Sequence, residues 1–541
     1  MARMTGGEAV RRALIAEGID TLFVLPGVQN DAFFNALHDA GERLRPIVTR
    51  HEQGAGYMAY GHAAVSGRPS AYCVVPGPGF LNTTAALATA YACSAPVFCL
   101  SGQIPSRHIG RGVGLLHELP DQLGIMQRLT KWAARVDAPQ DAARLVAEAF
   151  AQMASGRPRP TALEVPMDVM AREAWVTTER VDLPAAPPPE PDPDALTRAA
   201  ELLNGAKRPM IFVGGGAAGA SALVRRLAER LDAPVVAGWM GRGVMDDRSA
   251  LSISLTAAHR LWPEVDVALA VGSRFQRVQM DWGLDDALKV IRIDLDPTEI
   301  ARHAKPEVAL LADAGEALQA LLPQIESAGR AGWRERVAAI KDEVSALYRR
   351  ELAPQVAWVE AIRAALPEDG VLVEDLTQIG YVSRIAFPVF GPRQYISSGY
   401  QGTLGMSLPV ALGAKVACPK RPVLAIAGDG GFMYNVQELA TAVQHRIGVV
   451  VVVFDDGAYG NVRRMQRQLY GNRIIASDLR NPDFVQLASS FGMAARQVTS
   501  PDDLADALAD ALTRDEPALL TAKVGEMPDP WPHIILPRVR G

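Results

Sequence analysis

Short apolar runs recur along the chain at 22–25, 71–75, 97–101 and 162–165, with helix-length segments such as 6–17 and 140–154 between them. Strands that alternate with helices predict a parallel sheet covered on both faces. The pattern repeats further on. A helix at 195–203 leads to strand-like runs at 210–213, 235–237, 267–271 and 290–293, and a third series follows at 371–373, 422–427, 449–454 and 519–523. The run at 449–454 is apolar at every position, as a strand buried on both faces of a parallel sheet should be. A proline-rich stretch at 184–193 predicts an extended linker, and the charged segment 326–355 predicts a helical connection around the outside. The expected organisation is α/β, with three doubly wound parallel-sheet domains over 1–180, 195–325 and 355–541. The first and third are candidates for a shared architecture.

Composition narrows the function classes. Apolar residues make up 49% of the 541 positions, so large cores can form and disorder is excluded. Fifty-five Lys and Arg against 60 Asp and Glu leave a net charge of −5, with no electrostatic footprint for nucleic acid. No run of about 18 apolar residues is present, and the first residues carry no signal-peptide core, so a soluble cytoplasmic protein without a membrane partner is expected. The four cysteines, Cys73, Cys93, Cys99 and Cys418, form no Cys-x-x-Cys pair, and buried reduced thiols are expected.

Candidate chemistry concentrates in two places. Gly428-Asp429-Gly430-Gly431 closes the strand at 423–427, and a helix is expected to begin near Asn435. A second apolar strand ends at Phe454 and runs into Asp455-Asp456-Gly457-Ala458-Tyr459-Gly460. Ligands of open parallel sheets collect at the carboxyl ends of strands, so these two ends present carboxylates beside glycine backbone that a phosphate can approach. One or two carboxylates plus phosphate oxygens are the usual way to hold magnesium. In the first region, Arg50-His51-Glu52-Gln53 opens an apolar helix at 54–65. Around it stand Leu25-Pro26-Gly27, Gly77-Pro78-Gly79-Phe80-Leu81-Asn82, Ser101-Gly102-Gln103-Ile104-Pro105 and Thr130-Lys131.

The C-terminal pair resembles the thiamine diphosphate fingerprint, Gly-Asp-Gly followed after a spacer by Asn-Asn. Here the spacer, 431–454, is 24 residues and the closing pair is Asp455-Asp456. The N-terminal motifs resemble, in order and spacing, the pyrimidine-binding domain of the acetolactate synthase group of thiamine diphosphate enzymes, and the likeness covers essentially the whole chain. It implies thiamine diphosphate and Mg2+ as cofactors. Asp429 and Asp456 would be side-chain ligands of the metal and the Ala458 carbonyl a third. Pro26, Pro78, Gly428, Gly430, Gly431, Tyr459 and Gly460 would line the cofactor. Glu52 would be the activating acid, hydrogen-bonded to the pyrimidine ring nitrogen. The segment Ser397-Ser398-Gly399-Tyr400-Gln401-Gly402-Thr403-Leu404-Gly405-Met406-Ser407-Leu408-Pro409 resembles the synthases' Gly-x-Gly-Thr-Met-Gly-Phe-Gly-Leu-Pro. Leu404 would then be the wedge that bends the cofactor, and Gly402 would accept a hydrogen bond from its amino group. Thr377 and Gln378 stand where the family contacts the diphosphate.

Substrate-facing positions depart from the synthases. Leu116-His117-Glu118 replaces Phe-Gln-Glu, and an imidazole there can exchange protons with a substrate carbonyl, its ordinary pKa lying near roughly 6.5. Met465 stands at the place of the substrate-selecting tryptophan, and Val28 follows Pro26-Gly27 where related decarboxylases carry Asp or Ser. In synthases the central domain holds FAD. Here Gly214-Gly215-Gly216-Ala217-Ala218-Gly219 reads as a structural turn, and FAD has no further support in the sequence. The expected function is decarboxylation of a 2-oxo acid, ending in aldehyde release or carboligation. The alternatives are a C–C lyase or hydrolase for acyl-CoA or diketone substrates, or a non-catalytic cofactor-binding homologue. By the resemblance the active unit is a homodimer or tetramer with its sites at the subunit interface.

Overall fold

The computed structural model describes residues 1–327 and 329–541. Among these, each of the three regions is built on a six-stranded parallel sheet with helices on both faces. The first sheet runs, in spatial order, Arg45–Val48, Thr21–Val24, Ser70–Val74, Val97–Gln103, Thr161–Pro166 and Trp132–Arg135. The third runs Tyr395–Ile396, Val371–Val373, Val423–Gly428, Val450–Asp455, Ala518–Lys523 and Ala494–Val498. Numbered along the chain within each sheet, both have the order 2-1-3-4-6-5, so the first and third regions share one topology. The middle sheet has the order 3-2-1-4-5-6, the doubly wound arrangement of dinucleotide-binding folds. A fold of this type does not by itself imply that a nucleotide is bound.

The strands named from their apolar runs are those with both faces covered. Val450 to Val453 are at most 2% exposed. The strands without such a run lie at sheet edges or are short. Ala494–Val498 is exposed or half-buried at all but its last residue, and Tyr395–Ile396 has only two residues. An edge strand needs no second apolar face, so no continuous run marks it. The helical connection also differs from expectation. The helix Ala331–Glu351 is not merely an outer link, because Trp333, Val337, Ile340, Val344 and Tyr348 form a buried stripe at helical spacing.

The helix Glu52–Ser66 is the central strut. It is apolar on nearly all sides and lies against the helix Ser407–Ala417, so the cores of the first and third sheets merge around the pair. The backbones meet without intervening side chains. A Cβ on Gly61 would stand 2.0 Å from the Val410 carbonyl oxygen, and one on Gly413 would stand 1.9 Å from that of Met58. Among the described residues, no helix is long and apolar enough to cross a membrane.

Candidate active site

At the N-terminal pole, the neighbouring strands Thr21–Val24 and Ser70–Val74 end side by side, and the Leu25 N–H donates to the Cys73 carbonyl at 3.2 Å. Their carboxyl ends deliver Pro26-Gly27 and Gly77-Pro78-Gly79, with Pro78 at the first turn of the helix Pro78–Asn82. Glu52 opens its own helix, and the His51 imidazole caps it by accepting the Gln53 N–H at 3.1 Å. The Asn82 amide donates to Glu52 Oε2 at 2.9 Å, and a Cβ on Gly79 would lie 3.3 Å from Glu52 Oε1. On the other side of the same turn stands His117. A Cβ on Gly77, whose φ is +62°, would be 2.5 Å from the His117 carbonyl oxygen, which explains glycine at that position. The structure therefore brings Glu52, Pro78, Asn82 and His117 around one turn.

His117 has φ +68°, which costs a non-glycine residue about 1–3 kcal/mol unless its surroundings fix it. They do. Glu118 accepts the N–H groups of Val113, Gly114 and Leu115 at 3.3, 2.7 and 2.9 Å, and the Gln29 amide donates to the Leu116 carbonyl at 3.3 Å. The N–H bonds hold the Glu118 carboxyl below its usual range. His117 Nδ1 is buried and has no hydrogen-bond partner among the described residues.

At the C-terminal pole the paired strands Val423–Gly428 and Val450–Asp455 end in the acidic turns. The chain makes a short helical turn at Asp429–Phe432, and the helix expected near Asn435 begins three residues later, at Glu438–Gln444. Asp429 is 2% exposed, and the Asn481 amide donates to its Oδ2 at 2.6 Å and to Asp455 Oδ1 at 2.8 Å. Asp456 Oδ2 accepts from the Gln378 amide at 2.8 Å. Burial, then the charge of Asp429, push Asp456 up to about 7, and burial raises Asp429. Two like charges buried together are resolved by a proton or by a cation, and their oxygens are the donors a hard divalent ion takes. Ala458 is buried in the same turn, which the chain at 477–479 pins through Tyr459 N–H to the Ser477 carbonyl and Leu479 N–H to the Gly457 carbonyl, both 2.8 Å. The Tyr459 ring covers Gly430, which a Cβ would bring within 2.6 Å of it. Gly428, Gly431 and Gly460 lie in the same two turns, and a Cβ on Gly460 would be 2.4 Å from Asp456 Oδ2.

Gln378 is more occupied than the sequence suggests. Its carbonyl oxygen accepts the Met527 N–H at 2.8 Å and an Arg464 N–H at 3.3 Å, while its amide also reaches the Gly525 carbonyl at 3.2 Å. It ties Asp456 to the C-terminal segment, whereas Thr377 stands at the open start of the helix Gln378–Ala386 facing Gly428. Gly402 is left-handed, with φ +58°, and solvent-exposed. Leu404 is half-buried and belongs to none of the hydrophobic clusters of the described residues.

Three contributors escaped the sequence reading. Asp375, pushed up to about 7 by burial, accepts Leu376 N–H at 2.8 Å, Gly405 N–H at 3.0 Å and the Ser407 hydroxyl at 3.1 Å, and so holds the Leu404 loop. Its signal was available: an acidic pair, Glu374-Asp375, directly after an apolar strand. Asn481 had no local signal. Glu438 had none either, and it proves to contact the loop before Glu52.

Comparison with known families agrees with this geometry. Three family models match in chain order: the thiamine pyrophosphate enzyme N-terminal TPP binding domain over residues 4–125, the central domain over 196–321, and the C-terminal TPP binding domain over 376–522. The chain belongs to the thiamine pyrophosphate enzymes, in the group that contains the acetolactate synthases and 2-oxo acid decarboxylases. It is 36% identical over 514 residues to a probable 2-ketoarginine decarboxylase of Pseudomonas aeruginosa, covering 93% of this chain and 90% of that protein. It is 35% identical over 546 residues to a probable acetolactate synthase large subunit of Methanocaldococcus jannaschii, covering 96% and 91%. It is 30% identical over 543 residues to acetolactate synthase isozyme 1 large subunit of Escherichia coli, covering 98% and 96%. The chain is a thiamine diphosphate-dependent enzyme of decarboxylation or carboligation, and the lyase, hydrolase and non-catalytic alternatives are not favoured.

Proposed function

We propose that the protein decarboxylates a 2-oxo acid, with Glu52 as the activating acid and Mg2+ held by Asp429, Asp456 and the Ala458 carbonyl. The observation that carries the reading is the pair of carboxyls at adjacent strand ends, buried Asp429 and half-buried Asp456, which are poised for a cation and set beside glycine backbone that admits a diphosphate. When bound, thiamine diphosphate supplies the electron sink for the carbon–carbon cleavage. The chain's own groups do the rest. Glu52, oriented by Asn82, holds a proton at the pyrimidine ring nitrogen. Gln378 and Asn481 orient the metal carboxylates. Leu404, half-buried outside the hydrophobic clusters, would stand against the cofactor. His117 Nδ1 delivers or takes a proton at the substrate carbonyl.

Decarboxylation with aldehyde release is favoured over acetolactate formation by Met465 at the tryptophan position, His117 at the glutamine position and the likeness to the 2-ketoarginine decarboxylase. A homodimer that shares its sites is supported by large apolar side chains left exposed at both poles: Val28, Leu81 and Leu116 at one, and Tyr400, Tyr434 and Val462 at the other. A cytoplasmic location accords with the sequence. The test is a screen of 2-oxo acids, 2-ketoarginine and pyruvate among them, with thiamine diphosphate and MgCl2, read as carbon dioxide release and as coupled products. Metal-dependent carbon dioxide release that Glu52→Gln abolishes is expected. Turnover that survives EDTA treatment or Glu52→Gln refutes the assignment.

A further inference from the structure

The loop that delivers Glu52 is held by the C-terminal region of the same chain. Of its backbone N–H groups, only that of Thr49 is satisfied within its own sheet region, by the Val24 carbonyl at 3.0 Å. The Val48 N–H donates to His445 Nε2 at 3.0 Å. The Arg50 N–H lies 3.2 Å from each Glu438 oxygen, and the His51 N–H donates to Glu438 Oε1 at 3.0 Å. The Arg50 guanidinium adds a bond to Gln444 Oε1 at 3.0 Å. Glu438 is fully buried, and its second oxygen accepts the Thr441 hydroxyl at 2.6 Å. The helix Glu52–Ser66 sits directly on this carboxylate, for a Cβ on Gly54 would be 2.4 Å from Glu438 Oε1. Burial raises Glu438 above its usual range, and the Thr441 hydroxyl and the Arg50 and His51 N–H groups that it accepts oppose that shift.

The same short segment also holds the loop that carries Leu404. The Asn435 amide donates to the Gly405 carbonyl at 2.7 Å, and the Gly405 N–H donates to Asp375 at 3.0 Å. Residues 435–438 therefore grip both the Glu52 turn and the loop that carries Leu404.

We infer that Glu438 is a positioning residue: fixed on the N–H groups of Arg50 and His51, its carboxylate sets where the Glu52 carboxyl lies against the cofactor's pyrimidine ring. The inference rests on the reading of Glu52 as the activating acid. A purely architectural buried cap would lose stability and cofactor affinity together. A positioning group would instead change how well bound cofactor is activated.

The experiment measures deuterium exchange at the thiazolium carbon of thiamine diphosphate bound to the full-length holoenzyme, by acid quench and proton NMR, alongside cofactor affinity from tryptophan fluorescence. Glu438→Ala should slow exchange on the order of 10- to 100-fold, the effect of displacing a reacting group by about 1 Å, with affinity unchanged. Glu438→Gln keeps an oxygen that accepts both N–H groups and should restore exchange. Glu438→Asp, which withdraws the carboxylate by one methylene, should slow it and serves where the alanine variant does not fold. Exchange at the wild-type rate in the Ala or Asp variant, exchange in Gln as slow as in Ala, or affinity falling in proportion to exchange would each overturn the inference. Glu52→Gln is measured in parallel. If it leaves exchange intact, the reading of Glu52 falls and takes this inference with it; if it alone stops exchange, only the role of Glu438 falls.

Discussion

The helix crossing beneath the candidate site makes the sharpest test of how the fold serves the chemistry. In Gly61→Ala the new methyl group would stand 2.0 Å from the Val410 carbonyl oxygen and 2.8 Å from the carbonyl carbon. Backbone atoms cannot rotate aside, so restoring ordinary contact requires the helices Glu52–Ser66 and Ser407–Ala417 to separate by about 1 Å or more. Overpacking of this kind costs about 1–3 kcal/mol, against which alanine recovers about 1 kcal/mol of helix propensity over glycine. The net loss should be about 0–2 kcal/mol, or a fall in Tm of up to roughly 8 °C for a domain of 150–250 residues. The larger effect should be on rate. One helix begins at Glu52, and the other begins at Ser407, whose hydroxyl is held by Asp375. A shift of about 1 Å at a reacting group costs on the order of 100-fold. Circular dichroism melts and carbon dioxide release rates would be measured together. Gly413→Ala attacks the same crossing from the other side, its Cβ falling 1.9 Å from the Met58 carbonyl oxygen, and its effect should be less than additive because one separation relieves both clashes. Gly332→Ala is the control: its Cβ meets open space in a helix, and it should be neutral or stabilising by up to about 1 kcal/mol. A Gly61→Ala enzyme with an unchanged melt and an unchanged rate would refute the claim that this crossing sets the geometry of the site.

Other consequences can be checked separately. Glu52→Gln should lower turnover by on the order of 100- to 10,000-fold, the usual worth of a positioned acid, while fluorescence titration still shows cofactor binding. Removing metal with EDTA should lower the Tm of holoenzyme, because a ligand at 100 times its Kd contributes about 2.7 kcal/mol, and Asp429→Ala should abolish that difference. Burial pushes His62 down to about 4, below its unfolded value, so the folded state favours the neutral ring. Stability should therefore be fully present above about pH 6.5 and decline as pH falls toward 4, by about 2 kcal/mol between pH 6.5 and pH 5. His62→Gln should flatten that decline in urea unfolding series, and a parallel pH dependence in both proteins would show that His62 is not its source.

How much could be read in advance follows from the range over which each signal acts. Val450 to Val453 betray a central strand because both neighbours of a parallel sheet demand apolar faces, and the acidic turns at Asp429 and Asp456 are conspicuous because each follows such a run. Glu52, a charged residue at the start of an apolar helix, was marked less by its own position than by the resemblance of the motifs around it. Burial and hydrogen bonding over long separations leave no such trace. Nothing local to Asn481 indicates that its amide bridges Asp429 and Asp455, and Gln378 does not announce that its oxygen is taken by Met527. Glu438 is one acid among 60 until the chain, folded, lays the Arg50 and His51 N–H groups on it. The sequence by itself determined the three α/β layers and the order of the motifs, whose resemblance to a known family implied the cofactor, because strand propensity, turn chemistry and motif spacing can all be read along the chain. Only the tertiary structure decided which buried polar groups satisfy one another across the merged core, because those partnerships exist only once packing has removed water from around them.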